Sequence, residues 1–116
     1  MVEREKERKR LYEGLYIINA TLSEDATKKA LDKVKAEIED RGGEVKKVFD
    51  YGRRRLAYEI ADKKEGHYYI LYFMTNASSI KELWREYTLN EDLLRFMNLQ
   101  VDSIPESLEF KPLVVS

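Results

Sequence analysis

The chain has 116 residues, of which 43% are hydrophobic and 37% charged, and its formal net charge is −1. This length is typical of one globular domain that buries a core of its own. Cysteine is absent, which excludes disulfides, cysteine-bound iron–sulfur clusters and thiol nucleophiles. No apolar run approaches the ~18 residues that span a bilayer, and the charged N-terminus lacks an apolar signal region. We therefore expect no membrane association.

Residues 1–10 are mostly charged, and we expect a flexible, solvated arm. The next segment, LYEGLYIINA at residues 11–20, has apolar or aromatic side chains on both faces of an extended chain. A strand with this pattern is usually central in its sheet. Gly14 weakens this strand or permits a close approach of another group.

Residues 21–43 predict a helix that follows an N-cap at Ser23, with two acidic residues in its first turn. Gly42 and Gly43 supply the positive φ that ends a helix. A single apolar stripe continues along this helix at spacings of three and four residues, formed by Thr27, Ala30, Leu31, Val34 and Ile38.

Two further strands are predicted next. Residues 44–61 form a long, irregular strand, in which a bulge or bend before Arg53 accommodates the interruption at Gly52. We expect a turn over residues 62–66. Residues 67–75 are apolar on both faces, which predicts a second central strand.

A second helix is predicted after an N-cap at Ser78 or Ser79. Residues 93–101 predict a fourth strand, and residues 102–116, which hold both prolines, predict an extended tail. The apolar face of the second helix has helical spacing and consists of Ile80, Leu83, Trp84 and Tyr87.

The predicted order is β-α-β-β-α-β over residues 11–101. With right-handed crossovers it gives a ferredoxin-like α+β sandwich, in which a four-stranded antiparallel sheet carries two helices on one face. This topology places the first and third strands, which are the most apolar, in the middle of the sheet. The same fold occurs in enzymes, metal carriers, ligand sensors and RNA-binding modules, so the fold leaves the function open.

The sequence does not predict catalysis. His67, the only histidine, lacks partners at the spacing of a metal site or a catalytic triad, and we interpret it as a polar residue at the start of a strand. The segment INATLSED, at the first strand–helix junction, has no counterpart of the glycine-rich phosphate loop of acylphosphatases, which share this fold. We therefore expect neither an enzyme nor a cofactor, a metal or a small-molecule substrate.

Aromatic and aliphatic residues alternate on the third strand, so one set faces the helices and the other faces the open side of the sheet. RNA-recognition motifs stack bases on that open side. The glycine that usually separates their aromatic residues is missing from EGHYYILYF. We favour the alternative, an apolar face covered by a tail or by a partner protein.

Arg53, Arg54 and Arg55 concentrate positive charge in a nearly neutral chain. The surrounding segment, EVKKVFDYGRRRLAY, has a local charge of +3, and Lys63 and Lys64 lie at the end of the same hairpin. A charge run is often a solvated face. Clustered guanidinium groups, however, bind phosphate bidentately, which favours contact with a phosphate backbone.

Four segments add a more specific pattern: YEGLYII, GGEVKKVFDYGRRRLAYEI, KKEGHYYILYF and ELWREYTLNEDLLRFM. In this order, over residues 11–101, they resemble the bacterial small-subunit ribosomal protein six family. The most specific parts are the arginine run before Leu-Ala-Tyr and the sequence Leu-Asn-Glu-Asp before Leu-Leu-Arg.

The resemblance implies a structural component of the small ribosomal subunit, cytoplasmic and ribosome-associated. It also implies binding to 16S rRNA in the central domain (platform), together with ribosomal protein eighteen, a small basic partner that forms a heterodimer. Five arginines match or extend the family's basic positions and are the expected RNA contacts: Arg10, Arg53, Arg54, Arg55 and Arg95. Their expected role is positioning on phosphate and sugar, with little base readout.

A regulatory sensor or protein-interaction domain that dimerises through its sheet is the alternative on the same fold. The arginine run and the segment before the fourth strand favour the ribosomal interpretation, because a sensor domain has no reason to carry them.

Overall fold

The structure, a computed structural model, describes residues 8–21, 23–60 and 63–106. Its elements in chain order are β1 (Lys9–Asn19), α1 (Glu24–Asp40), β2 (Glu44–Ile60), β3 (Lys63–Asn76), α2 (Ala77–Thr88) and β4 (Leu93–Gln100). Most of the predicted N-terminal arm and the last ten residues of the predicted tail lie outside the described residues.

The four strands form one antiparallel sheet in the order β2-β3-β1-β4. The ferredoxin-like fold and the central position of the first and third strands are confirmed. Within the described ranges, no helix combines the length and apolar character needed to cross a bilayer.

The first helix has the predicted ends. The Ser23 hydroxyl accepts a hydrogen bond from the backbone N–H of Ala26 at 3.1 Å, which satisfies one of the free donors of the first turn. Gly42, with a φ of 80°, follows the C-cap. All five residues of the predicted stripe are buried: Thr27, Ala30, Leu31, Val34 and Ile38.

Both helices pack on one face of the sheet, and we call the other face the open face. The main core lies on the helix-bearing face, where Tyr16 of β1, Phe73 of β3 and Leu83 of α2 are fully buried. The ring of Tyr16 meets that of Tyr87 edge-on, with 5.3 Å between centroids. Burial raises the pKa of both phenols, so they remain neutral in the core.

The second helix begins earlier than predicted. Asn76 is its N-cap, and the Asn76 side-chain carbonyl accepts hydrogen bonds from the backbone N–H of Ser79 at 3.2 Å and from the Ser79 hydroxyl at 2.7 Å. The predicted cap at Ser78 or Ser79 is therefore wrong. Asn and Ser are both good caps, and here the buried Ser79 helps to hold the asparagine.

Trp84 is the error within the predicted apolar face of this helix. Leu83 is fully buried, whereas Trp84 is 60% exposed. The indole ring meets only the edge of the sheet, where its centroid lies 6.2 Å from that of Phe96 on β4. Its position, next to Leu83 in sequence, places it on the rim of the core, and the prediction that it lies in the core is wrong.

Replacing Leu83 and Trp84 separately by alanine tests this difference. Leu83→Ala removes a fully buried side chain and should lower the free energy of unfolding by about 2–5 kcal/mol. Trp84→Ala should lower it by about 1 kcal/mol or less, because most of the ring already contacts water. Urea denaturation measures both values, and equal losses would contradict the placement of Trp84.

A predicted bend in β2 is present at Gly52. The register between β2 and β3 shifts between Asp50 and Gly52, and Gly52 has a φ of 74°. The Asp50 carboxylate accepts a hydrogen bond from the N–H of Gly52 at 2.8 Å, which stabilises the bend locally. The bulge redirects the strand immediately before the arginine run.

Substitution of Gly52 should show the energetic cost of this backbone conformation. A Cβ atom added there would have no neighbour within 4 Å, so Gly52→Ala tests conformation without a steric clash. We expect a loss of about 1 kcal/mol of unfolding free energy. Gly52→Asn should lose less, since asparagine tolerates the left-handed region. Chemical denaturation compares the two variants, and an unchanged alanine variant would contradict the positive φ.

Candidate nucleic-acid interface

The β2–β3 hairpin extends beyond the end of β1. The pairing of β1 with β3 ends at Asn19 and Gly66, whereas β2 and β3 remain paired as far as Ile60 and Lys63. The predicted turn over residues 62–66 is therefore wrong, because residues 63–66 belong to β3. Their polar composition reflects a hairpin that projects from the sheet. We call residues 53–60 and 63–66 the hairpin arm.

The hairpin arm curls over the open face. Leu56 of the arm is buried against Ile17 of β1 and Tyr68 of β3 in a second, smaller apolar cluster, which Ile60 also contacts. Ile17 and Tyr68 are 1% and 3% exposed, although both helices lie on the opposite face. The arm therefore forms the cover of this part of the sheet.

A contact between opposite edges of the sheet fixes the position of the arm. Arg95 of β4 donates a hydrogen bond through Nη1 to the hydroxyl of Tyr58 on β2 at 2.7 Å. Its guanidinium carbon lies 5.4 Å from the centroid of the tyrosine ring. Since β2 and β4 are separated by β3 and β1, about 14 Å in a flat sheet, this contact requires the curvature of the arm.

The arginine run is divided between the two sides of the arm. Arg53 is opposite His67 and Arg55 is opposite Glu65 in the register of the hairpin, on the side that faces the helices. Arg54, between them in an alternating strand, lies on the side of Leu56. Its Nε donates to the backbone carbonyl of Tyr51 at 3.0 Å.

Four cations line an open cleft of about 430 Å³ beside the end of β1: Arg53, Arg55, Lys63 and Lys64. We call this the basic cleft. Arg53 Nε donates to a carboxylate oxygen of Glu65 at 2.8 Å, with the two side chains 60% and 50% exposed. An ion pair this exposed is weak, so a phosphate group can compete for the arginine.

Arg10 lies far from the other predicted contacts. It is exposed near the beginning of β1 and is opposite Thr75. Ile18, eight residues further along β1, is opposite His67, which is itself opposite Arg53. That interval corresponds to about 26 Å of strand. The fold therefore gathers Arg53, Arg54, Arg55 and Arg95 around the arm and places Arg10 at the opposite end of the sheet.

His67 has a structural role beside this region. Its Nε2 lies 2.7 Å from an oxygen of Asp50, and its ring stacks on Tyr69 with 4.5 Å between centroids. Among residues 8–21, 23–60 and 63–106 there is no group of three or more histidine, aspartate or glutamate side chains placed to hold a metal ion. The histidine thus orders the strand next to the basic cleft.

The aromatic residues of the open face are closed to base stacking. Tyr68 and Tyr72 are 3% and 1% exposed, and the Tyr72 hydroxyl donates to the carboxylate of Glu13. Burial, followed by the bond to Glu13, raises the pKa of Tyr72. Burial also raises the pKa of Tyr68, while the Arg95 guanidinium opposes this shift.

Comparison with known proteins identifies the family. A family model described as Ribosomal protein S6 matches residues 11–100. The chain belongs to the ribosomal protein S6 family. It is 55% identical over 103 residues to small ribosomal subunit protein bS6 of Protochlamydia amoebophila, a match that covers 89% of this chain and 90% of that protein. It is 54% identical over 108 residues to the bS6 protein of Chlamydia pneumoniae, with 93% and 96% covered.

The fold agrees with a solved member of the S6 family. A crystal structure of 30S ribosomal protein S6 from Thermotoga maritima superposes with a TM-score of 0.76 at 30% sequence identity, covering 81% of this chain and 89% of that one. Family membership makes the chain a structural component of the small ribosomal subunit in the cytoplasm, and not an enzyme. It also decides between the ribosomal interpretation and the sensor domain, which the fold alone left open.

Two features of the site are absent from the predicted contacts. Lys63 and Lys64 line the basic cleft with Arg53 and Arg55, and Tyr58 holds Arg95. The lysines could have been added from the sequence, because residues that follow a hairpin turn pair with those that precede it. The Tyr58 contact depends on the curvature of the arm, for which the sequence has no local signal.

A double-mutant cycle on Arg95 and Tyr58 tests whether the arm closes on β4. We expect a coupling of about 0.5–1 kcal/mol in unfolding free energy between Arg95→Ala and Tyr58→Ala, because they share a hydrogen bond and a cation–π contact. Tyr58→Phe, which keeps the ring, should retain part of the coupling. Additive effects of the two alanine substitutions would show that the arm does not reach β4 in solution.

Proposed function

We propose that this S6-family chain binds 16S rRNA in the central domain of the small subunit, in a heterodimer with ribosomal protein eighteen. The observation that carries the proposal is the basic cleft at the root of the hairpin arm. The expected contacts are the arginines of the arm together with Arg95 and the more distant Arg10.

The charge of the hairpin arm supports contact with a phosphate backbone. In residues 53–60 and 63–66 there are five cations and two carboxylates, whereas the whole chain has a net charge of −1. Arg54 and Arg55 are both exposed and lie on opposite sides of the arm. An arm with cations on both sides can contact two phosphate segments of a folded RNA junction, because each guanidinium offers a bidentate fork.

The open face argues for positioning on phosphate and sugar and against base readout. Stacking of bases on a sheet requires accessible aromatic faces, and Tyr68 and Tyr72 are almost completely buried. The exposed cations surround the arm instead. Phosphate contacts fix the register of a protein on RNA and carry little sequence information.

The charge balance supports the need for a partner. A nearly neutral chain with one local basic patch makes few phosphate contacts, and RNA affinity rises with the number of phosphates neutralised. Ribosomal protein eighteen, as a small basic protein, supplies further positive charge next to the patch. The shared site then has more phosphate contacts than either protein has alone.

Substitution of Arg54 and Arg55 tests the proposal. The chain is titrated with a 16S rRNA central-domain fragment over a salt series, with and without ribosomal protein eighteen. Arg54→Ala/Arg55→Ala should weaken binding and reduce the slope of log affinity against log salt by about one unit for each phosphate that the variant no longer neutralises. Binding of the unsubstituted chain should be tight with the partner present and should weaken as salt rises.

Lys46→Ala is the matched control, because Lys46 is an exposed cation of β2 that is paired with Glu44 at 3.0 Å and is distant from the arm. It should leave the slope nearly unchanged. An Arg54→Ala/Arg55→Ala chain with the same salt slope as the unsubstituted protein would remove both arginines from the interface. No binding with or without the partner would contradict the proposed function as a whole.

A further inference from the structure

An apolar row crosses the open face from one edge of the sheet to the other. The register places Phe49 of β2 next to Ile70 of β3, Ile70 next to Leu15 of β1, and Leu15 next to Met97 of β4. The first three are partly exposed, and Met97 is 49% exposed. Both helices pack on the other face, and the hairpin arm covers the neighbouring cluster around Ile17.

The chain after β4 reaches the edge of this row. Lys47, two residues before Phe49, donates through Nζ to the backbone carbonyls of Pro105 at 3.4 Å and Glu106 at 2.8 Å. The Lys47 ammonium also lies 4.7 Å from the centroid of the Phe49 ring, so it is on the open face. Between Leu99 on β4 and Glu106, the chain has therefore crossed to β2 at the opposite edge of the sheet.

The ten residues that follow have the composition and the length to cover the row. Residues 107–116, SLEFKPLVVS, contain one acidic and one basic residue. Their large apolar residues are Leu108, Phe110, Leu113, Val114 and Val115. An extended segment of ten residues reaches about 33 Å, whereas the row across four strands is about 14 Å long. We propose that residues 107–116 dock on the apolar row of the same chain, running from Phe49 towards Met97.

The anchoring of Glu106 favours this segment over a second copy of the chain. Docking of residues 107–116 is intramolecular, and its effective concentration is set by the short distance from Lys47 to the row. A second copy would instead lose translational and rotational freedom when it bound. The row and the segment also match chemically, because each is apolar and the charges of the segment, at Glu109 and Lys111, alternate with its apolar residues.

Thiol labelling tests the proposal directly, since the chain contains no cysteine. Met97→Cys places one thiol at the far end of the row, and its rate of alkylation is compared between the full chain and a chain that ends at residue 106. If residues 107–116 are docked nine-tenths of the time, the thiol should react about tenfold faster in the shortened chain. Trp84→Cys, at a 60% exposed position on α2, is the control and should react equally fast in both.

A second variant separates docking from any effect of the truncation on folding. In the full chain, Phe110→Asp/Val114→Asp should raise the labelling rate at position 97 to that of the shortened chain, while Glu109→Gln/Lys111→Gln should keep the protection. Equal rates in the full and shortened chains would overturn the proposal. Protection that increases with protein concentration would also overturn it, because the cover would then be a second copy.

Discussion

The packing of the hairpin arm onto the open face is the contact on which the rest of the site depends. Leu56 buries itself against Ile17 and Tyr68, and this small cluster bends two strands out of the plane of the sheet. The bend brings Tyr58 to Arg95 and turns the arginine run outwards. Without this cluster, the arm would be a flat ribbon and its cations would lie far from β4.

Most of the fold follows from local sequence signals, as α1 illustrates. Its cap, its apolar stripe and its terminal glycines lie within one segment, and each is predictable from residue type and spacing. Trp84 and the residues 63–66 differ, because their environment is set by parts of the chain that are distant in sequence. Whether Trp84 lies inside or on the rim depends on the edge of the sheet, and whether residues 63–66 turn or pair depends on how far β2 extends.

The candidate site is predictable in composition and not in arrangement. A run of three arginines identifies a basic segment, and strand alternation then requires Arg54 to lie opposite its neighbours. The distance of Arg10 from the arm and the contact of Arg95 with Tyr58 follow from the sheet order and from the curvature of the arm. These are properties of the assembled sheet, and a charge count does not contain them. The membership in the S6 family rests on the sequence as a whole.

The hydrogen bond between Arg95 and Tyr58 has a consequence for the rate and strength of any anion binding at this edge. It uses Nη1 of a guanidinium group that carries five N–H donors. A free arginine loses rotamer entropy when it grips an anion, whereas a side chain already held against an aromatic ring has lost much of that freedom on folding. Tyr58 therefore acts as a rest that pre-orders the guanidinium plane, so that less entropy remains to be lost at the moment of contact.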